Sequence, residues 1–229
     1  MIVRSCVATL FATAALLTVC GAASPNTADS PSATPGFPLT IDNCGEAVTV
    51  EAPPSRAIGY FQHSTELLLA LELQDSMVGT VYPDNVPLPR YAAAYDAIPV
   101  ISDKDASFEQ LLAADPGFVY GGYKSTFDEA QGRSRKAFAD AGLTTYLNPE
   151  YCATAPITMD DVYAEVHQIA TIFGVPERAA GLTTDMQAGV AEASAKIDGV
   201  KPLKAFVYDS GEDTAFTAGA RESAIRSSN

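Results

Sequence analysis

Residues 57–71 read AIGYFQHSTELLLAL, and their pattern gives the first indication of the fold. Its first four residues form a short apolar run that predicts a β-strand. The following part has the apolar spacing of a helix through Leu67, Leu68 and Leu71, with Ser64 placed to cap the first turn. A strand followed directly by a helix is the repeating unit of α/β proteins, in which crossover helices join parallel strands.

The same alternation continues along the chain. Apolar runs bounded by turn residues predict four further strands: Met77–Tyr82, Pro99–Ile101, Phe118–Tyr120 and Thr144–Leu147. Between them, one predicted helix is capped by Ser107, and another extends from Asp128 to Ala141 and stops at Gly142. We therefore predict an α/β lobe with a mostly parallel sheet and helices on both faces.

Two longer helices follow the last of these strands. Thr158 and Asp161 form a variant of the capping box at the start of the first helix, and Gly174 ends it. Pro176 opens the second helix, which continues to Ile197 and would be roughly 30 Å long. We predict a first lobe over 39–175, a joining helix over 176–198, and the start of a second lobe over 199–229 with a strand at Leu203–Tyr208.

The first 38 residues carry export signals. Arg4 precedes an apolar run that is too short to span a membrane, which predicts a signal peptide over 1–19. The run ends in Leu17-Thr18-Val19-Cys20, which resembles the lipobox of bacterial lipoproteins and implies lipidation of Cys20. An ordinary cleaved signal peptide is the alternative. Residues 20–38 are rich in Ala, Ser, Thr and Pro and predict a flexible tether, so the folded part should face the extracytoplasmic side.

Two cysteines remain in the folded part, Cys44 and Cys152. Because export places them in an oxidising compartment, we predict a disulfide between them. On the chain-entropy model, closing a loop of this length stabilises the fold by about 4–5 kcal/mol. A metal site is the alternative, but it needs more ligands than a chain with two histidines offers.

The chain carries 28 acidic and 14 basic residues, which gives a net charge of −14. This balance argues against nucleic acid and anionic membrane surfaces as partners, because both are bound through clusters of Lys and Arg. The acidic excess is compatible with a cationic or metal-bearing ligand, and it is also typical of an exported protein that must stay soluble. We expect contact with the membrane through the lipid anchor only.

Enzyme motifs are incomplete in this sequence. Gly117 and Gly122 are followed by Lys124 and Ser125, but Tyr123 separates the second glycine from the lysine and excludes a phosphate-binding loop. No Gly-x-Ser-x-Gly elbow occurs, and neither of the two histidines has an evident triad partner. We therefore expect a binding protein rather than an enzyme, without catalytic residues, cofactor or metal-ligating residues of its own.

Two segments carry a resemblance to a known family. Residues 64–71, STELLLAL, and 111–120, LLAADPGFVY, resemble landmarks of the ABC-importer binding proteins for ferric siderophores, haem and cobalamin. The resemblance covers about Ile41 to Gly219. It implies a class III periplasmic binding protein fold, in which one long rigid helix joins two βα lobes and the ligand lies between them. Glu177–Ile197 resembles that joining helix, and the second lobe would be only begun.

The resemblance also implies roles for single residues. Glu66 matches the glutamate that docks on an arginine of the membrane permease, and the helix dipole also favours a glutamate in a first turn. Ligand contacts are expected from loops at the carboxyl ends of the strands, where open α/β sheets bind their ligands. These loops contain Tyr60, Phe61, Gln62, His63, Tyr82, Tyr123, Lys124, Asn148 and Tyr151. About half of the tyrosines should instead pack at strand ends.

The aromatic residues suit a bulky planar or chelated ligand, and Lys124 would offset anionic chelate oxygens. The expected ligand is a ferric siderophore, which a monomeric protein delivers to an ABC permease; cobalamin and haem are the alternatives. We expect His63 to be a polar loop residue rather than a metal ligand, which separates the chain from zinc and manganese binders. A further alternative is a nonbinding remnant without most of its second lobe.

Overall fold

A computed structural model describes residues 34–201, 204, 206, 208–213 and 216–217. The predicted signal peptide, Cys20 and most of the predicted tether lie outside these residues and stay predictions. In the described part of the chain, no helix is long and apolar enough to cross a membrane.

The described chain begins with an antiparallel hairpin of β1 (Leu39–Asn43) and β2 (Glu46–Val50). Its turn contains Cys44, which forms the predicted disulfide with Cys152. The Asn43 side chain donates a hydrogen bond to the carbonyl oxygen of Leu147 and accepts one from its amide, both at 2.8 Å. A covalent bond and a paired amide therefore fasten the hairpin to the neighbouring sheet.

The centre of the fold is a five-stranded parallel sheet, as the alternation of strands and helices predicts. Its strands are β3 (Ala57–Tyr60), β4 (Met77–Val81), β5 (Val100–Ser102), β6 (Phe118–Gly121) and β7 (Thr144–Leu147). The spatial order is β5-β4-β3-β6-β7, and every neighbouring pair is parallel. Helices cover both faces of this sheet, which explains why its strands read as nearly continuous apolar runs.

Chain order and spatial order differ within this sheet. The chain moves outward from β3 through β4 to β5, returns to the other side of β3 as β6, and continues outward to β7. The reversal between β3 and β6 is a topological switch point. At such a point the connections on the two sides diverge and leave a crevice at the carboxyl ends of the strands.

Six helices flank the sheet in the described part. They are α1 (Gln62–Ala70), α2 (Ala92–Asp96), α3 (Phe108–Ala113), α4 (Arg135–Asp140), α5 (Met159–Ile172) and α6 (Pro176–Lys196). On one face, α1, α2, α5 and α6 bury Leu68, Tyr95 and Ile169 in a common core. On the other face, α3 and α4 bury Leu111 and Phe138 against Val119 of the sheet.

The helix α6 begins at Pro176, as predicted, and its 21 residues make it about 30 Å long. A short antiparallel pair, β8 (Tyr208–Ser210) and β9 (Phe216–Thr217), follows it. The strand β8 thus begins at Tyr208, which is the last residue of the strand predicted at Leu203–Tyr208. The sheet, its flanking helices and the long helix confirm the predicted α/β class, whereas the proposed lobe boundaries stay predictions.

The helix predicted from 128 to 141 is wrong in its first half. Glu129–Gln131 form a single 3-10 turn, and the α-helix begins only at Arg135. Gly132 adopts a left-handed conformation with φ 71°, which ends the turn, and Ser134 then caps α4 by accepting from the Ala137 amide. Residues 128–141 have a composition that favours a helix, but Gly132 and Ser134 divide the segment into two parts.

The predicted cap of the first helix is also wrong. α1 begins at Gln62 with Phe61 at the N-cap position, so Ser64 lies inside the helix. The Ser64 hydroxyl donates to the carbonyl oxygen of Tyr60 at 2.9 Å, a bond back to the preceding turn. By contrast, the capping boxes at Ser107 and Thr158 confirm the predicted caps.

Candidate functional site

Four aromatic rings line up along the carboxyl edge of the parallel sheet. Tyr82 follows β4, Phe61 follows β3, Tyr123 lies just beyond β6, and Tyr151 lies beyond β7. Their order in space is the order of those strands, and successive ring centroids are 4.9, 4.5 and 5.0 Å apart. Such spacing is typical of favourable aromatic pairs. We call this array of Tyr82, Phe61, Tyr123 and Tyr151 the aromatic row.

The backbone of Phe61 is unusual. Its φ of 74° and ψ of 156° lie in a region that is essentially reserved for glycine. The Phe61 amide donates to the carbonyl oxygen of Val81 at 2.8 Å, and this bond helps to hold the conformation. Tyr82 also has a positive φ, of 56°. Two of the four rings in the aromatic row therefore stand on strained backbone, and such strain concentrates at functional sites.

His63 continues the aromatic row on the side of α1. Its ring meets Tyr123 edge to face at 5.1 Å, and its Nε2 donates to the carbonyl oxygen of Gly122 at 3.0 Å. Burial lowers the pKa of His63, so the ring is neutral at pH 7 with the proton on Nε2. A Cβ at position 122 would lie 2.5 Å from the His63 ring, so any residue other than glycine would force this ring to move.

Beside the aromatic row lies a cleft of about 570 Å³ on the face of the sheet that carries α1 and α5. The helix α1 contributes His63, Glu66 and Leu67, and α5 contributes Asp161, Val162 and Glu165. The rings of Tyr91, Tyr120, Tyr123 and Tyr151 and the side chains of Arg90, Asn148 and Glu150 also line it. The switch point thus opens into a cavity that is large enough for a small-molecule ligand.

The floor of the cleft holds a carboxyl group with an unusual environment. The Tyr120 hydroxyl donates a short hydrogen bond to Oε1 of Glu165. Burial raises the pKa of Glu165 to about 7. The hydrogen bond from Tyr120 opposes this rise in pKa, and the nearby Glu150 carboxylate adds to it. Burial also raises the pKa of Tyr120 and of Tyr146, so both phenols stay protonated and can donate. The Tyr146 hydroxyl donates to Oε1 of Gln168 at 2.6 Å.

Glu66 lies in the middle of α1 rather than in its first turn, so the predicted dipole contribution is wrong. Its Oε1 accepts from Nε2 of Gln62 at 2.9 Å and from the amide of Leu88 at 3.0 Å. Gln62, another predicted ligand contact, accepts in turn from the Asn85 amide at 2.8 Å. Glu66 and Gln62 therefore hold the loop after β4 against α1, and Glu66 also faces the cleft.

Three other predicted contacts have different positions. The Tyr60 ring is buried, and its hydroxyl donates to Oδ1 of Asp105 at 2.9 Å; burial raises its pKa to about 12. Lys124 is exposed and lines a separate depression beside α4. Asn148 lines the cleft, but its side chain caps the following turn by accepting from the Glu150 amide. Tyr60 thus belongs to the core, as was expected of about half of the tyrosines.

The sequence reasoning missed Glu165, Arg90 and Tyr91. Glu165 lies beside Val162 and Val166, which both belong to the apolar stripe of α5. A carboxylate at the edge of a buried stripe could have been predicted from the sequence as a candidate site residue. Arg90 and Tyr91 come from an irregular loop, for which local pattern gives no such signal. No cluster of three or more His, Cys, Asp or Glu residues that could hold a metal exists among the described residues.

Comparison with known proteins identifies the family. The sequence profile of the periplasmic binding proteins matches residues 58–227. A periplasmic binding protein from Veillonella parvula superposes with a TM-score of 0.71 at 25% identity, over 79% of this chain and 60% of its own. No curated protein matches the sequence.

Two further solved structures have the same fold. An ABC-type Fe³⁺-hydroxamate transport protein from Saccharomonospora viridis gives a TM-score of 0.59 at 28% identity, over 71% of this chain and 57% of its own. A petrobactin-binding protein from Bacillus subtilis gives 0.60 at 16% identity, over 80% and 61%. The chain thus spans about six tenths of the length of these structures. Because the family profile covers most of its residues, the chain belongs to the periplasmic binding protein family.

Proposed function

We propose that this chain is the solute-binding component of an ABC importer and that it captures a bulky metal chelate of the ferric siderophore type. The observation that carries the proposal is the aromatic row along four neighbouring strand ends, beside the cleft at the switch point. Rigid rings supply a large contact area at a low cost in side-chain entropy. Of this row, Tyr123 and Tyr151 line the cleft, and a bulky chelate would pack against their rings.

The names of the solved relatives support this class of ligand. They include proteins described as binding or transporting Fe³⁺-hydroxamate, petrobactin, haem and vitamin B12. These ligands are all bulky, and a siderophore completes the coordination shell of its iron without help from the protein. The described residues contain no metal-ligating cluster, which fits a ligand that brings its metal already coordinated.

Haem is the less favoured alternative because its iron takes an axial ligand from the protein. The candidate histidine beside the aromatic row is His63, whose Nε2 is engaged by Gly122 and whose ring is packed against Tyr123, and the tyrosines of the row are the other candidates. Ligation by His63 would require displacement of this ring, and ligation by a tyrosine would require deprotonation of its phenol. A ferric chelate makes no such demand, so it is the first ligand to test, with cobalamin second.

Tyrosine fluorescence tests the proposed function directly, because the chain has no tryptophan. We expect a ferric trihydroxamate to quench the purified chain saturably, and Tyr123→Leu to weaken binding about tenfold through the loss of ring contacts. Haemin and cobalamin serve as comparison ligands. Phe206→Leu is the matched control, since it removes an exposed ring that does not line the cleft. Saturable quenching by none of these ligands would favour a nonbinding chain.

Delivery to a permease belongs to the same proposal. Glu66 would dock on the permease, Cys20 would anchor the monomer to the membrane, and the folded part would lie on the extracytoplasmic side. The half-exposed position of Glu66 on α1 supports the docking role, because a partner can reach the carboxylate from solvent. His63 and Asn148, which line the cleft, would contribute to the rim of the ligand site, and Gln62 would support this site by holding the loop after β4.

A further inference from the structure

The charges that line the cleft are strongly unbalanced. Among the described residues that line it, four carry carboxylate side chains, Glu66, Glu150, Asp161 and Glu165, and one, Arg90, carries a cationic group. The Arg90 guanidinium lies 4.9 Å from the centroid of the Tyr91 ring, on an exposed loop. His63 adds no charge at neutral pH because burial lowers its pKa. The cavity is therefore acidic in spite of its arginine.

Among the acidic residues that line the cleft, Glu165 has a pKa that is raised by burial. Its only hydrogen bond among the described residues comes from the Tyr120 hydroxyl, and no ion pair of the described part involves it. When ionised, this carboxylate keeps acceptor capacity that the protein does not use. A partly buried carboxylate without a basic partner is costly, and a cation that enters the cleft would offset this cost.

Aromatic rings surround the same volume. Tyr91, Tyr123 and Tyr151 line the cleft together with the carboxylates. Ring faces attract ammonium and guanidinium groups, most strongly where water is excluded. A cavity that combines rings with carboxylates selects for a cation on an organic arm, whereas carboxylates alone would say little about a ligand.

We propose that the solute bound in this cleft carries a positively charged ammonium or guanidinium arm, which pairs with Glu165 and rests against the tyrosine rings. The proposal rests on the proposed function and specifies the charge of its ligand. Anionic chelates such as ferric tricatecholates are disfavoured, because the cleft carboxylates and the net charge of −14 repel them.

The test compares two chelates that differ in one charge. Ferrioxamine B is a ferric trihydroxamate with a free terminal ammonium, and its N-acetylated form has the same metal core without the cation. Affinities are measured by tyrosine quenching at about pH 8, where Glu165 is largely ionised. We expect the ammonium form to bind about tenfold or more tightly, and a ferric tricatecholate to bind most weakly.

Two variants locate the effect. Glu165→Gln keeps the acceptor for Tyr120 but removes the charge, so it should abolish the preference for the ammonium form. Glu109→Gln removes an exposed carboxylate on α3, across the sheet, and should keep the preference. Equal affinities of the wild-type chain for the two trihydroxamates would overturn the inference and leave the proposed function standing. Binding of neither chelate would overturn both.

Discussion

At the scale of single residues, Phe61 shows how much of the site is set by packing rather than by local preference. Nothing in the sequence marks it for a backbone conformation that is reserved for glycine. The amide of Phe61 bonds to Val81, and its ring packs between Tyr82 and Tyr123, so distant residues impose the conformation. Local sequence also could not predict the burial of Tyr60, which contacts Asp105 and Arg133 from distant parts of the chain.

Glu165 yields a prediction about stability and pH. Burial raises its pKa from 4.5 to about 7, so the folded state holds the proton more tightly than the unfolded chain does. Its stabilising effect is complete below about pH 4.5 and is lost as the pH rises to about 7. Because glutamine does not ionise, Glu165→Gln should not lose this stability as the pH rises. We therefore expect the variant to gain about 1–3 kcal/mol over the wild type between pH 4 and pH 8.

The measurement is urea unfolding of both proteins across this pH range. Glu129→Gln serves as the control, because it removes an exposed carboxylate outside the cleft. A stability difference between Glu165→Gln and wild type that stays constant with pH would show that Glu165 does not titrate as described.

At the scale of helices and strands, short sequence patterns predicted the helix caps correctly where the full capping pattern was present. Ser107 and Thr158 were predicted as caps from short sequence patterns, and both make reciprocal capping boxes. The start of α1 was missed because Phe61 has no capping side chain. The helix at 128–141 was overestimated because a left-handed Gly132 and the cap at Ser134 interrupt a segment of helical composition.

The disulfide gives a prediction at this scale. It ties the β1–β2 turn at Cys44 to the turn that contains Cys152, next to Tyr151 of the aromatic row. Its two cysteines are 108 residues apart. The double variant Cys44→Ser/Cys152→Ser should lower the free energy of unfolding by about 2–5 kcal/mol and weaken binding of the ferric trihydroxamate.

Urea unfolding with and without a reductant measures this effect. Wild type in reductant should behave as the double variant does, and the double variant itself should not respond to the reductant. If reduction leaves both stability and chelate affinity unchanged, the disulfide does not support the wall of the cleft.

At the scale of the whole molecule, the sequence predicted the architecture better than the site. The regular alternation of strands and helices is enough to predict a parallel sheet, because crossovers place successive strands in the same direction. The strand order and the cleft between α1 and α5 depend on packing between distant segments. Accordingly, Tyr82, Tyr123 and Tyr151 were singled out by their place after strands, while Glu165 was not.

The proposed docking on a permease also concerns the molecule as a whole. We expect Glu66→Gln to impair uptake of the iron chelate by cells that carry the permease, because the docking charge is lost. The glutamine keeps the acceptor for Gln62 and Leu88, so the loop after β4 should stay in place. Affinity for the neutral, N-acetylated chelate should therefore match that of wild type.

Glu109→Gln is the control for surface charge in the same uptake assay. Normal uptake by Glu66→Gln would remove the docking role. Loss of affinity for the neutral chelate would instead assign Glu66 to the ligand site.

The aromatic row also gives the protein an optical signature. In a chain without tryptophan, the near-ultraviolet circular dichroism arises from tyrosine, phenylalanine and the disulfide. Rings that are held about 5 Å apart in a fixed, chiral arrangement couple their electronic transitions. Occupation of the cleft would change this coupling, so binding of the proposed ligand would be detectable spectroscopically without any attached dye.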